Sequence, residues 1–286
     1  MKKVLRIAVQ KSGRTTEKVL KTLVRANFDL PVVVQNEKLI LPCANFPLEI
    51  LFVRNFDIPS FVESGVADAG FVGENVLWEQ GSTLQTICQT GFLKCALRLA
   101  VPKNSRKKKL SDFQGSKVAT SFPNATRKFF KQHGVKDVEI VHFSGSVEIA
   151  PSIGMADSIC DLVSTGSTLR KHNLVEFCEI FQSQVVIAAA KGKKSALLDE
   201  FIFRVQAILN ANNTKLMVFD APKKNLRKIV DFLPCAESPT ISPLSNENWV
   251  SITTALSDTD FWQVVPKLKK LGAKAILGMP IEKLVL

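Results

Sequence analysis

A chain of 286 residues with 46% hydrophobic and 22% charged content is long enough for two or three cores. It contains no apolar run near the roughly 20 residues needed to cross a bilayer as a helix, which argues against a membrane protein. A net charge of +12 favours anionic partners, but the basic run at 106–109 is not interleaved with aromatics and Tyr is absent, which argues against a nucleic-acid binder.

The N-terminal MKKVLRIAVQK faintly imitates a signal peptide, but Arg6 breaks the apolar stretch and Lys11 closes it, so 4–9 is predicted as the first strand. A helix follows, with Val19, Leu20, Leu23 and Val24 on one face and Thr15 or Thr16 available to cap it. Strand signals come at 31–34, 38–41 and 49–53, then a short helix from Pro59 and strands at 67–73, 96–101 and 116–120. A helix at 124–133, strands at 138–143, 159–163 and 184–189, and a helix at 195–211 complete this part. Alternation of this density predicts an α/β protein with largely parallel sheets.

Two stretches echo each other. VESGVADAGFVGEN (62–75) and APSIGMADSICDLVSTGSTL (150–169) share G-[VM]-A-D at Gly65–Asp68 and Gly154–Asp157, followed by a buried strand and a polar turn. Two such copies point to two similar lobes that present strand ends to a common cleft, the place where open α/β sheets bind ligands. Beyond residue 213 the order becomes β-α-β-β-α-β, that of a ferredoxin-like domain. Its second helix, from Asp258 to Leu271, has Ser257 and Asp260 at capping positions and Phe261, Val264, Val265, Leu268 and Leu271 on one face.

The six cysteines (43, 88, 95, 160, 178 and 235) form no C-x-x-C pair, which fits a reduced, cytoplasmic protein without a zinc site. His133, His142 and His172 are scattered and read as surface or loop residues. The strongest chemical signal is ICDLVSTGSTLR (159–170). A strand delivers Asp161, and Ser164, Thr165, Gly166, Ser167 and Thr168 then turn into a helix. The glycine lets backbone N–H groups approach an anion and the hydroxyls add donors, although the same residues also make a good structural turn. Asp161 would stand where ribose hydroxyls or a magnesium ion need an oxygen ligand.

QKSGR (10–14), DIPSFVESGVADAGFVGENVL (57–77), ATSFPN (119–124), GSVEIAPSIGMADSICDLVSTGSTL (145–169) and AESPTISPL (236–244), in that order, closely resemble the long form of the ATP phosphoribosyltransferase family. The resemblance spans essentially the whole chain. It implies two lobes with the architecture of periplasmic solute-binding proteins, lobe I at 1–93 and 179–213 and lobe II at 94–178. A histidine-binding, ferredoxin-like regulatory domain would occupy 214–286. It implies transfer of phosphoribosyl from phosphoribosyl pyrophosphate (PRPP) to N1 of ATP with Mg2+, the first step of histidine biosynthesis. Matching positions make Asp161, Leu162, Val163, Ser164, Thr165, Gly166, Ser167, Thr168 and Leu169 the PRPP loop, with Glu148 near the ribose or its metal. Lys11, Arg14 and Arg54 would supply positive charge to the pyrophosphate and triphosphate, and Thr120, Ser121 and Pro123 would lie near the adenine. Arg14, Arg54, Glu148 and Asp161 are thereby the candidates for catalysis. Asp220, Ser238, Thr240, Ala255 and Ala275 would form the histidine pocket, and the family suggests dimers assembling into hexamers. A periplasmic solute-binding protein would share the two-lobed fold, but it should carry an export signal, which this chain does not show.

Overall fold

The apolar runs of the first two hundred residues assemble into one nine-stranded sheet in the computed structural model, which describes residues 4–31, 39–234 and 238–286. The strand expected at 31–34 lies outside the described residues beyond its proline, as do Lys38, Cys235 and the first two residues of AESPTISPL.

In chain order the elements are β1 (Leu5–Gln10), α1 (Arg14–Arg25), β2 (Ile40–Pro42), β3 (Leu48–Val53), α2 (Ile58–Glu63), β4 (Ala69–Gly73) and α3 (Glu74–Gln80). Next come β5 (Gln85–Pro102), β6 (Lys117–Thr120), α4 (Pro123–Gln132), β7 (Glu139–His142), β8 (Ser158–Val163), α5 (Ser167–Lys171) and β9 (Leu174–Ala189). The chain continues with α6 (Ala196–Asn212), β10 (Thr214–Pro222), α7 (Leu226–Val230), β11 (Thr240–Pro243), β12 (Trp249–Ser257), α8 (Asp258–Lys270) and β13 (Lys274–Pro280). Two units separate: one holds the residues up to Lys21 with Phe28–Leu198, the other Thr22–Asn27 with Asp199–Leu286.

The large sheet runs β2-β3-β1-β4-β9-β5-β8-β6-β7. β1 pairs in parallel with β3 and β4 at one end, and β6 pairs in parallel with β7 and β8 at the other. The antiparallel pair β5 and β9 joins these two lobes and belongs to both. Its register shifts repeatedly between Gln89 and Cys95, opposite Ser183 to Val186. β4 ends there, with Gly73 beside Val185, and so does β8, with Val163 beside Ala96. The parallel strands of both lobes therefore run toward the same joint, and their carboxyl ends face one another across it.

Both faces of the lobe II sheet are covered. Val118, Leu97, Leu99 and Cys160 pack with Phe113, Phe129 and Phe130 on one side, while Ala119, Ala100 and Ile159 pack with Val147 and Leu169 on the other. In lobe I, α2 presses directly on β4. A Cβ on Gly70 would stand 2.5 Å from Ile58 Cγ2, so only glycine allows this approach.

The sequence echo is a structural repeat. Asp68 donates its N–H to Arg6 O (2.7 Å) and accepts the Arg6 N–H on Oδ2 (2.9 Å). Asp157 does the same with Lys117, at 2.9 and 2.7 Å. In each copy a glycine with positive φ, Gly65 at 77° or Gly154 at 74°, turns the chain before the aspartate laces the incoming strand to its parallel neighbour.

The second unit carries a four-stranded antiparallel sheet in the order β11-β12-β10-β13, the arrangement of a ferredoxin-like βαββαβ domain. Met217, Phe219, Ile252 and Leu256 pack with Val264 and Leu268 of α8 on one face. Ser257 Oγ accepts the Asp260 N–H at 3.0 Å, the cap read from the sequence. In α1, by contrast, Thr16 is buried and donates its hydroxyl to Gln10 O at 2.6 Å, and Val24 is exposed. Among the described residues, no helix is long and apolar enough to cross a membrane.

Asp68→Ala and Asp157→Ala should each lower stability in urea denaturation, by about 1 kcal/mol, because each strips an acceptor from a strand N–H. The loss should be larger at Asp68, which also pairs with Lys193 Nζ at 2.8 Å. The double variant should show the sum of the two effects, since the lobes share no partner at these positions.

Candidate active site

β8 ends at Val163, and the chain turns through Ser164, Thr165 and Gly166 into α5. Gly166 sits at φ 69°, a left-handed conformation that favours glycine, and a Cβ there would stand 3.1 Å from Arg170 Nη1 and 3.2 Å from Glu176 Oε1. Arg170 Nη2 donates to Thr165 O (3.2 Å) and Thr165 Oγ1 donates to Ser167 Oγ (3.2 Å), so the turn is braced from behind. Ser164, Thr165, Ser167 and Thr168 are exposed, with Gly166 buried beneath them.

The turn opens onto a cavity of about 360 Å³ lined by Asp161 to Leu169 together with Ile159, Glu148 and Arg14. Arg14 is the first residue of α1 in lobe I, so the cavity draws on both lobes. Asp161 is half-buried, and its carboxyl is pushed up to about 6. Burial is the main cause; the Leu162 N–H, at 2.8 Å from Oδ1, pulls it back, and the charge of Glu148 raises it further. Its register partner on β5, Arg98, gives its guanidinium instead to Glu176 and Glu179 of β9, the latter at 2.9 Å.

Lys11 and Arg54 stand just beyond the carboxyl ends of β1 and β3, where the Lys11 N–H donates to Val53 O at 2.8 Å. Both are exposed, and neither lines the cavity. Thr120 is wholly buried, and its Oγ1 accepts the Phe122 N–H at 2.9 Å, while Ser121 and Pro123 are half-buried at the start of α4. At the joint, the Cys95 thiol is pushed up by burial and pulled back by the Ser183 hydroxyl and the charge of Arg14, with Glu74 raising it again. The described cysteines are free thiols, and burial pushes that of Cys160 up to about 12.

Two roomier clefts, about 690 and 610 Å³, lie beside Pro102 and Pro151. The acids of the first are engaged elsewhere: Asp112 accepts the N–H groups of Lys108 and Lys109, and Asp157 that of Lys117. Sequence reasoning did not single out Arg98, Glu176 or Glu74. Glu74 accepts the Gln184 N–H at 3.1 Å next to the joint.

In the second unit, Asp220 lies opposite Ser251 and Lys274, Thr240 opposite Thr253, and Ala255 opposite Leu216. Because Met217, Phe219 and Ala221 are buried under the helices, this register puts Asp220, Thr240 and Ala255 together on the helix-free face. Ser238 is exposed just before β11, and Ala275 has a φ of 47°.

The family model described as ATP phosphoribosyltransferase matches residues 54–210, and that described as HisG, C-terminal domain matches 211–283. The ATP phosphoribosyltransferase of Cytophaga hutchinsonii is 41% identical over 288 residues and the alignment covers 100% of both chains. That of Bacteroides thetaiotaomicron is 42% identical over 285 residues, covering 99% of this chain and 100% of the relative. The ATP phosphoribosyl transferase (HisG:HisZ) complex from Thermotoga maritima superposes with a TM-score of 0.63 at 27% identity, over 72% of this chain and 99% of that one. A braced Ser-Thr-Gly-Ser-Thr turn, two acids and a facing arginine thus stand in a chain that matches these enzymes from end to end: it belongs to the ATP phosphoribosyltransferase family, which carries out the first step of histidine biosynthesis.

Proposed function

We propose that PRPP binds in the cavity of Asp161 to Leu169, with its 5-phosphate on Ser164 to Thr168 and its ribose toward Asp161 and Glu148. The observation that carries this is the shared lining: Arg14 of lobe I faces the turn of lobe II across one cavity. In this reading lobe I is 1–93 with 179–213, lobe II is 94–178 and the regulatory domain is 214–286. ATP lies between the lobes, its triphosphate near Lys11, Arg14 and Arg54 of lobe I and its adenine near Thr120, Ser121 and Pro123 of lobe II. The enzyme works in the cytoplasm as dimers that assemble into a hexamer.

N1 of adenine attacks C1 of the ribose while the bond from C1 to the pyrophosphate oxygen breaks, and the leaving group takes the electron pair. Positive charge builds on the sugar and negative charge on the pyrophosphate. The chain answers each: Asp161 and Glu148 face the sugar, Arg14 faces the leaving group, and Arg54, outside the cavity lining, adds positive charge from beyond the end of β3. Alignment of the two substrates does the rest, and no covalent nucleophile is required. The donor set fits Mg2+, since burial and the charge of Glu148 raise the cost of ionising Asp161 and a divalent cation relieves it. Among the described residues no three His, Cys, Asp or Glu gather to hold a metal alone, so substrate oxygens would complete its shell. When bound, Mg2+ would offset the charge of the pyrophosphate.

Pyrophosphate release on mixing the protein with ATP, PRPP and Mg2+ is the expected outcome, and its absence while both substrates bind would refute catalysis. Gly166→Val should raise KM for PRPP at least about tenfold with the fold retained, because the added carbons displace Arg170 and Glu176 behind the turn. An unchanged KM would make the loop merely a turn.

Asp161 also predicts a pH profile. In the folded protein its carboxyl ionises near 6 instead of 3.8, so between these values the native state holds a proton that the unfolded chain has lost. Stability from this group is therefore lost as pH rises through that window. Binding of Mg2+ and PRPP needs the carboxylate, so kcat/KM for PRPP should climb with pH through about 6. Asp161→Asn should abolish that limb together with most of the activity.

The shared face of Asp220, Thr240 and Ala255 supports histidine as feedback inhibitor, with the Asp220 carboxylate for the ligand's amine. Millimolar histidine should inhibit the enzyme, and Asp220→Ala should weaken inhibition about tenfold or more while leaving activity without histidine unchanged.

A further inference from the structure

We infer that Glu79 is a positioning residue for the ATP half of the site: from lobe I it caps helix α4 of lobe II and so fixes where the ATSFPN loop stands. The inference rests on the proposed placing of adenine at Thr120, Ser121 and Pro123.

Helix α4 lacks a local cap. Its N-cap is Phe122, whose side chain accepts nothing, and Pro123 follows at the first helical position. The next two N–H groups, of Asn124 and Ala125, both end on Glu79, at 2.9 Å to Oε1 and 2.9 Å to Oε2. The Asn124 side-chain amide also donates to Glu79 O at 3.1 Å. Glu79 is only 6% exposed, so this carboxylate is committed to the helix and draws on its positive end. A helix start that would otherwise attract a phosphate is thereby filled, which leaves the loop before it to meet an uncharged ring.

Helix α3, which carries Glu79, is anchored at its other end to the joint. The Asn75 N–H donates to Ser183 Oγ (3.0 Å), and Glu74 Oε2 accepts the Gln184 N–H (3.1 Å). Between the two anchors Trp78 stacks on Phe181 at 4.9 Å, and Lys128 Nζ of α4 stands 5.2 Å from the Trp78 ring centre. The Phe56 and Phe122 rings meet at 6.3 Å alongside. A seven-residue helix thus acts as a strut from the joint to the adenine loop, and a shift of α3 carries α4 with it.

Steady-state kinetics of the full chain test this. Glu79→Ala should raise KM for ATP about tenfold and Glu79→Gln, which keeps one acceptor, about threefold, with KM for PRPP within about twofold in both. Amide exchange at Asn124 and Ala125 should quicken in the same order. A helix cap with only a structural role would change both KM values together, and that result, or an unchanged KM for ATP in a folded variant, overturns the inference. Should Glu79→Ala not fold, Glu79→Gln decides by the same criteria. Ser121→Ala separates the two readings: a raised KM for ATP there with none at Glu79 removes only the inference. An unchanged KM for ATP in Ser121→Ala and Pro123→Ala removes the adenine assignment, and the Glu79 variants still decide whether the strut positions ATP by other contacts.

Discussion

The antiparallel pairing of β5 with β9 is the constraint on which the rest of the N-terminal unit depends. The two strands have 18 and 16 residues, on the order of 50 Å when extended, enough to serve as the inner strand of one lobe and then of the other. Since β4 and β8 both pair with this ribbon, their directions and those of the parallel strands beside them are set by it. The carboxyl ends of both lobes have to meet at the joint, and the turn that lines the cavity is built at one of those ends. Register shifts at Gln89 to Cys95 interrupt the ladder at this joint.

On this scaffold the lobes are versions of one design with different endings. Asp68 and Asp157 make the same reciprocal bonds, each to the strand that precedes its own lobe's helices. Beyond the repeated strand the two part. β4 runs into Gly73, Glu74 and Asn75, whose polar groups are spent on Ser183 and Gln184 at the joint. β8 runs into Ser164 to Thr168, whose four hydroxyl residues are exposed and line the cavity. One copy spends its polar groups at the joint, and the other lines the cavity with hydroxyls.

The legibility of these features in the sequence follows the range of the interactions behind them. The G-[VM]-A-D echo, the Ser257 cap, the βαββαβ order and the Ser-Thr-Gly-Ser-Thr turn are local, so residue type at fixed spacing reveals them. The extensions of β5 and β9 were not legible: only 96–101 and 184–189 read as strand, because 85–95 is polar and broken by Gly91, and 174–183 mixes acids with aromatics. Helix α3 was missed because its N-cap is Gly73, without a side chain to announce it. The pairing of Arg98 with Glu176 and Glu179, and of Glu79 with Asn124 and Ala125, joins positions 45 to 81 residues apart. Nothing in a single sequence marks such partners. Thr16 shows the converse error: a hydroxyl at a helix start looked like a cap, yet it donates to the preceding strand.

The electrostatics of the cleft run against the charge of the whole chain. With a net charge of +12 the protein draws anions from a distance, yet among the described residues no cation pairs with Asp161 in the cavity to hold it ionised. Arg98 could have done so from the neighbouring strand, but two glutamates of β9 engage it. Had Asp161 been paired with Arg98, its charge would already be neutralised and it would gain little from a cationic sugar. In the proposed mechanism, left half-buried beside Glu148, it would gain most when positive charge arrives, whether a metal carried by the substrate or the sugar carbon as its bond to pyrophosphate breaks. On the proposed mechanism the glutamates that engage Arg98 would act on the chemistry without lining the cavity, because they leave the acid of β8 unpaired.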